Sequence, residues 1–188
     1  MDRRFYEAWF NASHTVLGRK LHPFCLEDAL ILSLAESPFL LGLTSGVTYS
    51  LEDLQEAVTI CSTPGDRFLS ARFTSTRLSR LRRAWWTTQC RRLDLKTECQ
   101  RFVTYLDDYN SPPDVWKEED GGEGRLRAPW VLGHSVFMMR HTTFPERAIW
   151  TMPLGKLLWY CATLSEQLGE KVQIVSEEEQ EAMEALGI

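Results

Sequence analysis

The side chains best placed to do chemistry lie in "RLSRLRRAWWTTQCRR", residues 77–92. Arg77, Arg80, Arg82, Arg83, Arg91 and Arg92 surround the adjacent Trp85 and Trp86. Cations offer contacts to phosphates and indole faces offer stacking platforms for unpaired bases, so this pattern fits a single-strand binder. It also fits an amphipathic helix whose arginine stems cover the edge of a core and whose charges meet acids elsewhere in the chain. The acidic sequence pI of about 5.4 favours the second reading, so nucleic acid is not the expected partner.

Catalytic and metal chemistry find less support. His134 and His141 stand seven apart in "HSVFMMRH". On a helix that separation is roughly 10 Å along the axis, too far for one ion to bridge unaided. His14 and His22 are read as having no Cys or carboxylate at ligand spacing, and so as structural or surface residues. No nucleophile elbow, phosphate loop, zinc-protease motif or dinucleotide fingerprint is present. The cluster "DGGEG" is acidic and would repel a phosphate. The five cysteines form no CxxC pair and read as buried or idle reduced thiols. The expectation is a non-enzyme with no cofactor and no metal.

The elements that must position these side chains are helical. "LHPFCLEDALILSLAESPFL" has Pro23 near a helix start, Glu27 and Asp28 in the first turn, and a stop at Ser37 and Pro38. In "SLEDLQEAVTIC", Ser50 is an N-cap with Asp53 three residues on. From Thr76 to Asp108 neither Pro nor Gly appears, which predicts one long helix or two with a break near Thr87 and Thr88. A helix is also expected over residues 3–13. Pro pairs, acids and glycines make residues 110–128 an exposed loop.

Beyond it lies "TFPERAIWTMPLGKLLWY", residues 143–160, with Trp150 and Trp159. Pro145 and Pro153 suit first turns, so three helical pieces are expected, separated at 142–144 and 151–152, with Gly169 closing the last. Ser176 and Glu179 repeat the capping pattern. The fold class is therefore all-α: a single compact multi-helix domain over 1–188, with a helical N-terminal region over 1–108, the loop 110–128, and a helical C-terminal region over 129–188.

Composition agrees with an ordinary globular chain, 44% hydrophobic and 25% charged. No apolar run is long enough to span a membrane, and the first twenty residues lack a signal-peptide apolar region, so a cytoplasmic location in a bacterial or phage-infected host is expected. The net charge of -5 conceals an asymmetry. Residues 67–101 hold ten Lys or Arg against two acids, whereas the chain from Glu166 onward holds seven Glu against Lys171. Glu177, Glu178, Glu179, Glu181 and Glu184 are thus a candidate acidic contact, and the arginines of 77–92 with Trp85, Trp86, Trp150 and Trp159 a candidate partner-binding set.

The order of "VLGRKLHPFCLEDALILSLAESPFLLG", "SLEDLQEAVTIC", an arginine-rich helical middle, "WTMPLGKLLWY" and a terminal "SEEEQEAMEALG" resembles phage and prophage tail assembly chaperones. The resemblance lies mainly in residues 16–61 and 145–188. It implies a helical protein that works by contact, holding the apolar-striped tape measure chain while tube subunits assemble, with helix-in-groove capture as the mechanism. Tape measure or tail tube protein would be the partner, and self-association is left open. The alternatives are a structural tail or connector subunit, and a nucleic-acid-binding helical module using residues 77–92.

Overall fold

The structure is a computed structural model that describes residues 13–41, 49–63, 65, 77–110, 112–113, 115–117, 129–169, 172–176, 179, 182–183 and 185, with the backbone alone at 41, 77–83, 115–117 and 172. The described residues are mostly helical, as expected for an all-α class. The chain divides into two compact units at Asp107/Asp108, where the sequence reads as one domain. The division falls near the end of a helix that "NSPPD" cannot prolong, because proline lacks the amide proton and biases the residue before it away from helix. The helix expected over residues 3–13 lies almost wholly outside the described residues.

The N-terminal unit opens with a hairpin that helical spacing does not predict. Strands β1 (Thr15–Val16) and β2 (Arg19–Lys20) pair antiparallel, with Val16 opposite Arg19. Leu17 and Gly18 make the two-residue turn with φ of 48° and 72°, and two positive φ values are what a type I′ turn requires. Glycine adopts that backbone readily; leucine does so at a cost. The cost at Leu17 is offset because its side chain is buried and both its backbone polar groups are held by distant side chains. Its N–H donates to Glu98 Oε2 at 2.6 Å, and its carbonyl accepts from Trp86 Nε1 at 3.2 Å.

Among the described residues this unit continues with helices α1 (Leu26–Leu34), α2 (Leu51–Cys61), α3 (Arg77–Cys90) and α4 (Leu95–Tyr109), the last running just past the division. Helix α1 ends in a Schellman arrangement: Glu36 N–H donates to Ser33 and Ser37 N–H to Leu32, with Glu36 at φ 52° where glycine is usual. A short 3₁₀ turn, Pro38–Leu41, follows. Helix α2 starts at the expected capping box, in which Ser50 Oγ accepts from Asp53 N–H and Asp53 accepts from Ser50 N–H. Such a cap is worth about 0.5–2 kcal/mol. The segment 76–108 is two helices, broken at 91–94 rather than at Thr87 and Thr88. Asp94 sets the break, since its carboxylate accepts from both the amide and the hydroxyl of Thr97 and so begins a new helix. The core between these elements is aromatic at its centre: Tyr105 meets the rings of Phe24, Phe102 and His14, and Phe102 meets Phe39.

The C-terminal unit contains α5 (Trp130–His141), α6 (Glu146–Thr151) and α7 (Leu154–Gln167). Pro129, Pro145 and Pro153 each stand immediately before a helix, and the breaks fall at 142–145 and 152–153, within a residue of those expected. Along α7, Leu154, Leu157, Trp159 and Cys161 are buried, while Leu168, just past its end, is exposed. Gly169, at φ 72°, closes α7 as expected. Residues 115–117, expected within a loop, form β3 (Val115–Lys117), paired antiparallel with β4 (Val172–Ile174). Ser176 and Glu179 form the expected reciprocal cap.

Two outcomes follow from the interactions of α4. Glu98→Ala strips the acceptor from a buried amide and is expected to lower unfolding free energy by about 1–3 kcal/mol in chemical denaturation, with Glu98→Gln costing less because its amide oxygen still accepts from Leu17. The hydrogen bonds from the Thr97 hydroxyl and then its amide hold Asp94 below the ordinary value of 3.8. Its contribution to stability is therefore fully present above that value and is lost as pH falls through the lower folded one. Carboxyl NMR titration should place Asp94 below 3.8, and Thr97→Val should return it toward that value.

Candidate functional site

The sequence places a proline, an N-cap and the first acidic turn of α1 within seven residues, "HPFCLED". Cys25 is the N-cap residue, in extended conformation, and Asp28 is the third helical residue. Asp28 reaches back as the acid of a capping box and accepts from Cys25 N–H at 3.1 Å. The same carboxylate oxygen accepts from the Cys25 thiol at 3.1 Å. Pro23 and the extended Cys25 turn the preceding chain so that His22 Nε2 lies 2.9 Å from each Asp28 oxygen. Asp28 and Cys25 are buried, while the His22 side chain keeps 31% of its exposure.

The backbone of His22 is pinned on both sides. Its N–H donates to the Cys61 carbonyl at the end of α2 at 3.0 Å, and its own carbonyl accepts from the Tyr105 hydroxyl of α4 at 2.9 Å. Three helices therefore fix one short loop. The ligand atoms of His22, Cys25 and Asp28 all lie within 4.8 Å of one another, and no other such cluster of three or more His, Cys, Asp or Glu occurs among the described residues.

Electrostatics keep the thiols protonated. Burial, and then the Asp28 charge, push the Cys25 and Cys61 thiols well above the usual thiol range, and burial does the same to the Tyr105 phenol. Burial raises Cys161 to about 12 and also raises Cys99, where Asp53 and Glu98 add to it. A nucleophilic cysteine needs its thiolate and a base in reach. Here the thiol is held as a donor to Asp28, and the imidazole nitrogen that faces the cluster is engaged with Asp28 as well. This arrangement stabilises a helix start and does not activate a nucleophile.

The residues singled out from sequence fare unevenly. Trp86 is half-buried and committed to Leu17, with the Arg19 guanidinium 3.7 Å from its ring centroid, whereas Trp85 is exposed. Arg91 and Arg92 are exposed just after α3; Arg77, Arg80, Arg82 and Arg83 lie on α3, their side chains outside the described atoms. Trp150 is half-buried on α6, and Trp159 is buried on α7, which removes it from a partner-binding surface. Of the acidic set, Glu179 is exposed and caps its own segment, while Glu177, Glu178, Glu181 and Glu184 lie outside the described residues.

Two features were missed in sequence. His22 does have a Cys and a carboxylate at ligand spacing, three and six residues on; the signal was the i, i+3, i+6 pattern across an N-cap. The second is helix α5, whose inward row is Val131, Ser135 and Met138. Beside it runs an outward row, Leu132, Val136 and Met139, exposed by 44%, 49% and 38%, with Trp130 exposed at its start. Spacing of four and three residues puts all three on one face. Among the described residues, no helix is long and apolar enough to cross a membrane. In comparisons with known proteins, the chain matches no family model, no curated protein and no solved structure.

The buried thiols make a direct prediction. All five cysteines are buried and free, so a thiol reagent at neutral pH should react with the native protein at least about 10-fold more slowly than with the denatured protein, where all five become available. Fast native labelling of Cys25 or Cys61 would contradict the protonated, buried assignment.

Proposed function

We propose that this protein acts without catalysis, by holding an amphipathic helical segment of a protein partner, and that the partner is the tape measure protein of a phage or prophage tail. The observation that carries the reading is the outward apolar row of α5. A helix that already buries Val131, Ser135 and Met138 has no need of Leu132, Val136 and Met139 for its own packing. Apolar side chains at i, i+4 and i+7 are the anchors by which one helix takes up another. Arg140 and His141 close the same helix, so an acidic residue at the matching end of the incoming segment would fix its direction. The partner's identity rests on the resemblance in motif order to tail assembly chaperones.

The test is capture from the native host or prophage background at two salt concentrations with nuclease treatment, followed by mass spectrometry. Recovery of the tape measure protein that survives nuclease, and its loss by at least about 10-fold with the double variant Leu132→Glu, Val136→Glu, is the expected result. Both positions are exposed, so the variant should fold normally. Recovery of nucleic acid that falls away at high salt, without tail protein, would overturn the reading, and persistence in finished particles would favour a structural tail subunit.

A further inference from the structure

We infer that His22, Cys25 and Asp28 form a binding site for one divalent transition-metal ion of the zinc class, a reading independent of the role proposed for α5. The donor set is an imidazole nitrogen, a sulfur and a carboxylate oxygen, the three ligand types that zinc takes in proteins. Their atoms already converge, with 2.9 Å from His22 Nε2 to each Asp28 oxygen, 3.1 Å from Cys25 Sγ to Asp28 Oδ2, and no separation above 4.8 Å. Around a tetrahedral ion with bonds of about 2.0–2.3 Å, ligand atoms stand roughly 3.3–3.7 Å apart. Side-chain rotations that move each atom by about an ångström or less therefore make room for the ion.

The supports of the three ligands are what a metal site needs. Backbone hydrogen bonds from His22 N–H to Cys61 and from Tyr105 to the His22 carbonyl fix the histidine, and the N-cap of α1 fixes the other two. Cys25 N–H donates to Asp28, the kind of outer interaction that orients a ligating carboxylate. The partly exposed His22 leaves an approach from solvent. On binding, Cys25 loses its thiol proton to solvent as the sulfur–metal bond forms. The ion takes the Nε2 lone pair of the His22 tautomer that carries its proton on Nδ1, so the one proton released is that of the Cys25 thiol.

The competing account is that the cluster is only a hydrogen-bonded helix cap. The full-length protein, freed of metal with a chelator, is titrated with Co²⁺. One equivalent is expected to give tetrahedral visible bands together with thiolate-to-cobalt charge-transfer absorption in the near ultraviolet, and Zn²⁺ is expected to displace it. Cys25→Ser should abolish the charge-transfer band, and His22→Gln should weaken binding by at least about 10-fold. Serine is a preferred N-cap residue, so Cys25→Ser should keep its fold, which a circular dichroism melt of the metal-free variant verifies. Absence of a thiolate band at excess metal, or a band that survives in Cys25→Ser, would overturn the assignment.

Discussion

A carboxylate removed from water must find donors, and the way Asp28 finds them organises the N-terminal unit. Its oxygens take the amide and thiol of Cys25 and face the imidazole of His22, so a charge costly to bury becomes the point where a loop is fastened to the start of α1. The loop cannot then move independently. His22 is bonded through its backbone to the end of α2 and to Tyr105 of α4, and Tyr105 stands among Phe24, Phe102 and His14 at the centre of the aromatic core. Polar satisfaction and apolar packing meet in the same few residues, which is why the thiols here are inert donors and not exposed nucleophiles.

The same coupling recurs at the hairpin. Leu17 occupies a backbone region that suits glycine, yet its buried side chain adds to the core while Glu98 and Trp86 take its N–H and carbonyl. Arg101 lies 2.6 Å from the other oxygen of Glu98 from a largely exposed position, and Arg19 lies over Trp86. Trp86, one of the two tryptophans that look like nucleic-acid chemistry in sequence, is thus committed to holding the hairpin against α3. In the C-terminal unit the priorities differ. There α5 buries one row and leaves a second apolar row in water, a pattern that fits a protein whose work is done by contact.

Much of the helical layout was legible because its signals are local. Ser50 with Asp53, Ser176 with Glu179, the prolines before α6 and α7, and Gly169 at φ 72° each act within a turn of chain, and a reader of the sequence has all the participants adjacent. The break between α3 and α4 falls a few residues after Thr87 and Thr88 because the cap that starts the new helix is Asp94, whose carboxylate bonds to Thr97. Which apolar positions of α7 face inward depends instead on the elements packed against it, and there Trp159 is buried while Leu168, past the helix end, is exposed.

Sequence by itself determined the helical class, the capped starts of α2 and the last segment, and the proline-punctuated order of α5 to α7, since these follow from backbone restrictions and short-range hydrogen bonds. Tertiary structure alone decided the rest. The pairing of β3 with β4 joins segments on either side of three helices, and strands of two or three residues are too short to show alternation. Leu17 holds a turn that its own residue type disfavours because Glu98 and Trp86, distant in sequence, arrive to take its polar groups. The convergence of His22, Cys25 and Asp28 needed both kinds of information: the spacing is written in seven residues, but only α2 and α4, by fixing the backbone of His22, turn that spacing into a cluster.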